Sequence, residues 1–121
     1  MKNRTTAVIG ATPNPARYAY LATSRLLSHG HKVYPVGIHK GEIEGKPILT
    51  DFPELDDVHT VTLYVGPKNQ VHWIDYILKL HPKRIIFNPG TENPVLENAA
   101  AARGIECVQG CTLVMLSIGE Y

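Results

Sequence analysis

The 121-residue sequence predicts an α/β fold, three layers deep, built on a mainly parallel five-stranded sheet. Three observations predict it. Apolar runs of strand length alternate along the chain with segments of helical periodicity. The first run is continuously apolar rather than alternating, as expected of a strand covered on both faces. Small, proline and amide residues crowd the segments that follow the first four runs.

Each element follows from its residues. Thr6-Ala-Val-Ile-Gly10 is the first strand, ended by glycine. Ala19, Ala22 and Leu26 recur at helical spacing, which predicts a helix from Ala16 to His29 with Gly30 as its stop. Lys32-Val-Tyr-Pro-Val-Gly37 is the second strand. Pro35 has no N–H for a ladder, so this strand is expected at or near a sheet edge. In the loop that follows, Ile48-Leu49 is a candidate short extra strand, and Asp51 is a candidate cap for one helical turn through Leu55. Thr60-Val-Thr-Leu-Tyr-Val65 is the third main strand. Pro67 opens a helix whose buried side is read as Val71, Ile74 and Leu78, and His81-Pro82 ends it. Trp73, Tyr76 and Ile77 broaden that side, read as core in preference to a dimer surface. Arg84-Ile-Ile-Phe87 is the fourth strand. Thr91 or Asn93 caps an alanine-rich helix reaching Arg103, and Gly104 ends it. Ile105-Glu-Cys-Val108 is the fifth strand, and Thr112 to Ile118 a final short helix.

Right-handed crossovers make 2-1-3-4-5 the simplest strand order, with the Ile48 segment flanking strand two. Residues 1–121 are read as one domain, with no repeat or linker. The formal net charge of +1 and the absence of a basic run give no reason to expect nucleic acid. No apolar stretch approaches the ~20 residues of a membrane span, and the amino-terminal residues do not read as a signal peptide. Two cysteines, Cys107 and Cys111, make no disulfide framework, and a cytoplasmic setting is the expectation. A homodimer is left open.

The strand order reverses between strands one and three, where parallel sheets bind ligands at the carboxyl ends of their strands. Four loops reach that crevice. In the first, Gly10 and Ala11 let a diphosphate approach the backbone, and Thr12 adds a hydroxyl. The helix that follows presents free N–H groups and its dipole, Asn14 lies in the same turn, and Arg17 is a cation within reach. A plain strand–helix turn with a surface arginine is the alternative reading. The second loop, Gly37-Ile-His-Lys40, lacks the Asp or Glu that holds ribose hydroxyls in NAD-binding folds. His39 and Lys40 suit a phosphorylated ribose instead, as in NADP or coenzyme A, or form a solvated charged loop. The third loop brings Val65 and Pro67, and the fourth Asn88, Pro89 and Gly90.

With these loops in view, the chain resembles the small stand-alone CoA-binding proteins. These are Rossmann-like domains related to the CoA-binding domain of succinyl-CoA synthetase and other acyl-CoA synthetases. The resemblance covers nearly the whole chain. The family's V-G-A-S-x-x-P-x-R stands here as Ile9-Gly-Ala-Thr-Pro-Asn-Pro-Ala-Arg17. Its H-G-Y-x-V-Y-P-V-N-P stands as His29-Gly-His-Lys-Val-Tyr-Pro-Val-Gly-Ile38. A cysteine after the last strand is typical, and Cys111 matches it. The resemblance implies that Gly10, Ala11 and Thr12 contact a CoA diphosphate beside Arg17. It implies that Gly37, Ile38, His39 and Lys40 meet the ribose and its phosphate, and that Val65 and Pro67 line the adenine pocket. The family's Asn-Pro is replaced by Gly37-Ile38, and its glutamine after strand four by Asn88.

The expected function is therefore non-catalytic binding of CoA or an acyl-CoA. An NADP-type reductase or epimerase-like subunit is the alternative, as is an interaction subunit with a vestigial nucleotide site. Cys111 reads as a small packed thiol before a nucleophile or redox thiol, and Glu92 as a helix-start acid before a base. The six histidines show no metal-ligand spacing.

Overall fold

The structure, a computed structural model, describes residues 3–121. Five parallel strands form the sheet: β1 (Thr6–Ile9), β2 (Val33–Val36), β5 (Thr60–Leu63), β6 (Arg84–Phe87) and β7 (Glu106–Gln109). Their spatial order is β2-β1-β5-β6-β7, the expected arrangement. A short antiparallel pair, β3 (Glu42–Ile43) with β4 (Lys46–Pro47), lies in the loop after β2.

Helices cover both faces, which is why β1, β5 and β6 are buried at every position. Ala7, Ile9, Val61, Leu63, Ile85 and Phe87 form one core with Trp73, Ile77, Leu96 and Ala100. Those last four come from the segment after β5, which includes α2 (Pro67–Gln70) and α3 (Ile74–Leu80), and from α4 (Pro94–Ala101). Val8 and Ile86 point the other way, against Ala19 and Leu26 of α1 (Tyr18–Ser28) and Leu116 of α5 (Thr112–Ser117).

Pro35 occupies the edge strand, as its missing N–H requires. Gly10 N–H reaches Val36 O, so residue 36 bonds inward to β1 and residue 35 faces outward. There Leu49 N–H donates to Pro35 O at 2.8 Å and Gly37 N–H donates to Leu49 O at 3.0 Å. The extra segment thus flanks β2 through one parallel bridge, Val36 with Leu49, while regular pairing falls two residues earlier, at Lys46–Pro47.

Other expectations are corrected. Helix α1 begins at Tyr18, not Ala16. The Asn14 side chain accepts from Ala16 N–H at 3.0 Å and its carbonyl from Arg17 N–H at 3.1 Å, a turn that competes with helix. Among the described residues no helical turn forms between Asp51 and Leu55. Asp51 and Phe52 instead take φ values of 62° and 52°, and Pro53 disfavours the helical region for the residue before it. The helix expected from Pro67 to His81 is split at 71–73, where Trp73 N–H bonds Gln70 O three residues back. Its inward residues are Gln70, Trp73 and Ile77, whereas Val71 is 66% exposed.

A polar seam joins α5 to the sheet. Asn88, 2% exposed, donates to Thr62 Oγ1 at 2.7 Å and Leu63 O at 2.8 Å, and its Oδ1 accepts from Thr112 N–H at 2.9 Å. Thr62 and Thr112 share a hydroxyl bond of 2.7 Å. Asn88→Ala leaves the Thr112 amide and the Leu63 carbonyl without these partners. Urea unfolding is expected to show a loss of about 2–3 kcal/mol, the scale of an orphaned buried donor.

At the amino ends of the strands His31 is buried, its Nδ1 accepting from Arg4 N–H at 2.9 Å. Burial, then the cations His29, Arg4 and Arg84, holds its pKa below the ordinary 6.5. The folded state therefore favours the neutral ring. Above pH 6.5 the residue has no effect. As pH falls through 6.5 and then through the lower folded value, the unfolded state binds the proton first and stability declines. The urea midpoint of the native chain is expected to drop more between pH 7.5 and 5.5 than that of His31→Leu.

Candidate ligand cleft at the sheet switch point

Three backbone turns interlock where the strand order reverses. Gly10 has φ +100°, and a Cβ there would lie 2.9 Å from Tyr64 O and from a Val65 methyl. A Cβ on Gly37 would lie 2.3 Å from Ala11 O. The N–H groups of Gly10 and Ala11 both donate to Val36 O at 2.9 Å. These two residues therefore clear space by their small size, while their amides hold β2 to β1 and are not free for a ligand.

Free donors begin further along. Arg17 is the N-cap of α1, is exposed, and makes no capping bond with its side chain. The first amides of α1, from Tyr18 onward, have no partner inside the helix. They carry its positive end.

A cleft with two arms opens above this point. Gly10, Thr12, Arg17, Tyr64 and Gly66 line both arms. The larger arm, about 600 Å³, runs between the loops after β2 and β5, past Ala11, Gly37, Ile38, His39 and Val65. The smaller, about 330 Å³, runs past Asn14 and Tyr18 towards Pro89, Gly90 and Thr91. No carboxylate and neither cysteine is among the lining residues; Arg17 is the one guanidinium there, and His39 and His72 add imidazole rings.

Eleven of the fourteen residues singled out by sequence thus meet here. Three do not line either arm. Lys40 lies on the loop after β2, exposed; Pro67 is exposed at the first turn of α2; and Asn88 is turned into the core seam described above. Glu92, 2.9 Å from Gly90 N–H, closes the turn after β6. Cys111 is the half-buried N-cap of α5, and Cys107 lies on β7, its thiol pushed up by burial.

Several lining residues were not legible. Phe52 comes from the segment expected to be helical, and Asn69, His72 and Trp73 from the helix that splits. Tyr64 lies at the junction of the arms, and burial raises the pKa of its hydroxyl far above the usual phenol value. Gln70 is fully buried and holds the two arms together. Its amide donates to Val65 O at 2.8 Å and Thr91 O at 2.7 Å, and its carbonyl accepts from Asn93 at 3.0 Å. Asn93 in turn caps α4 through Val95 N–H. Nothing in local spacing distinguishes Gln70 from a surface glutamine.

Among the described residues no helix is long and apolar enough to cross a membrane, and no group of three or more His, Cys, Asp or Glu is placed to hold a metal ion.

Comparison with known proteins agrees with this fold. A solved structure of an uncharacterized protein is 55% identical over 100% of both chains, with a TM-score of 0.97. A hypothetical protein from Pyrococcus horikoshii OT3 is 27% identical over 97% of this chain and 84% of its own, at a TM-score of 0.86. A conserved hypothetical protein from Pyrococcus furiosus is 29% identical over 87% of this chain and 91% of its own, at 0.75. None of the curated proteins matches. The sequence pattern of the CoA binding domain matches residues 4–117, nearly the whole length. With that match and a parallel sheet whose switch point opens into an acid-free cleft, the chain belongs to the CoA-binding domain family.

Proposed function

We propose that this chain binds coenzyme A or an acyl-CoA and holds it without transforming it. The observation that carries the reading is the junction of the two arms. An uncapped helix start, the Thr12 hydroxyl and the Arg17 guanidinium converge there with no carboxylate beside them. That set suits a diphosphate. The adenosine then occupies the larger arm, with its ribose phosphate towards His39 and Lys40. The pantetheine follows the smaller arm past Asn14 and Gly90. In this proposal the gripping amides are those of the α1 start, which the sequence reading also named, because the Gly10 and Ala11 amides serve Val36. A binding rather than a catalytic role is favoured because the lining offers neither thiol nor carboxylate to attack or deprotonate a thioester.

Titration calorimetry with CoA, dephospho-CoA and NADPH tests the reading. CoA is expected to bind most tightly, and dephospho-CoA, lacking the ribose phosphate, more weakly. Arg17→Ala is expected to weaken CoA about 10- to 100-fold, the worth of a charge-assisted hydrogen bond. Added salt is expected to weaken the native chain more than the variant. Absence of CoA binding at millimolar ligand, or tighter binding of NADPH than of CoA, overturns the proposal.

A further inference from the structure

The larger arm carries an aromatic surface that neither the sequence motifs nor the family pattern assigns. Phe52 stands 49% exposed in its wall. Its ring centroid lies 5.0 Å from Trp73 at 57° and 5.4 Å from Tyr76 at 65°. Trp73 and Tyr76 are themselves 6.0 Å apart at 62°. All three contacts are tilted or edge-on, so Phe52 rests on two rings without being enclosed by them.

The backbone that holds Phe52 there is unfavourable. Asp51 and Phe52 both sit at positive φ, where residues with side chains are disfavoured. The segment is pinned on its far side, since the Tyr76 hydroxyl donates to Pro53 O. Water-exposed aromatic surface adds a second unfavourable feature. Two such features at one cleft-lining residue call for a compensating role, and backbone outliers of this kind gather at ligand sites. The same arm holds Ile38, 75% exposed, so apolar and aromatic side chains share its lining with Arg17 and the polar groups. A planar heteroaromatic base matches that surface.

We propose that Phe52 is the stacking platform for the purine base of the ligand and thereby the specificity-determining residue of the larger arm. This rests on the CoA reading above and deepens it, since recognition then depends on the base as well as on the phosphates.

The single tryptophan, Trp73, lies against Phe52 and reports the event by its fluorescence. Three ligands separate the contributions. CoA carries the whole structure, adenosine 3′,5′-bisphosphate carries base and phosphates without pantetheine, and 4′-phosphopantetheine carries no base. Phe52→Ala is expected to weaken CoA and the bisphosphate about five- to hundredfold, the range for loss of one base–aromatic stack, and to leave 4′-phosphopantetheine unchanged. Phe52→Tyr is expected to retain the native affinities. Phe52→Leu keeps an apolar cover over Trp73 without a π face and is expected to follow Phe52→Ala, which separates stacking from support of the loop. Circular dichroism confirms that each variant is folded. If the native chain binds CoA and Phe52→Ala binds the bisphosphate as tightly, or loses all three ligands alike, the stacking role is overturned while the CoA reading stands. If the native chain binds neither CoA nor the bisphosphate, both are overturned.

Discussion

The structure depends on one close approach. Three main-chain turns meet at the carboxyl ends of β1, β2 and β5, nearer than any side chain allows. The Val36 carbonyl takes two amides at once, and Gly10 and Gly37 leave room for Tyr64 O and Ala11 O. Everything on the ligand face follows from that contact. It brings the loops after β1, β2 and β5 around one opening and aims the start of α1 across it. Gly37 stands where the family pattern has asparagine. With the Ala11 carbonyl 2.3 Å from the position of a Cβ, this chain packs the two loops more tightly than a larger residue permits.

Two buried amides extend this order outward. Asn88 ties the end of β6 to β5 and to the first amide of α5, and Gln70 ties Val65 to Thr91 and Asn93. Each is almost wholly buried, and each spends both its donor and acceptor capacity on main chain or side chain from other elements. Main-chain carbonyls in loops have no sheet ladder to satisfy them, so an inward amide is the side chain best suited to join several loops. The walls of both arms are therefore placed by polar bonds, while the apolar cores place the layers beneath.

The electrostatics of the opening are simple. An uncapped helix end, one guanidinium and two imidazoles face a cavity without carboxylates, with an apolar aromatic wall on one side. Partly enclosed positive potential of that kind gathers anions. No acid of this nearly neutral chain lines either arm, and Glu92 is occupied with Gly90 N–H.

The sequence by itself determined the sheet, its strand order and the edge position of β2, because short continuous apolar runs, a proline without a donor and right-handed crossovers leave little choice. It also determined the small-residue turn and Arg17, since glycine and guanidinium chemistry is local. Only the tertiary structure decided that the Gly10 and Ala11 amides serve Val36, that the helix after β5 breaks, and that its inward side carries Gln70 and Trp73 in place of Val71. It alone brought Phe52 into the cleft, on a segment whose residues suggested a cap. The reason is common to these cases. Periodicity reports which residues prefer burial, whereas hydrogen bonds from distant loops decide which residue is pulled inward, and those partners lie 5 to 26 positions away along the chain.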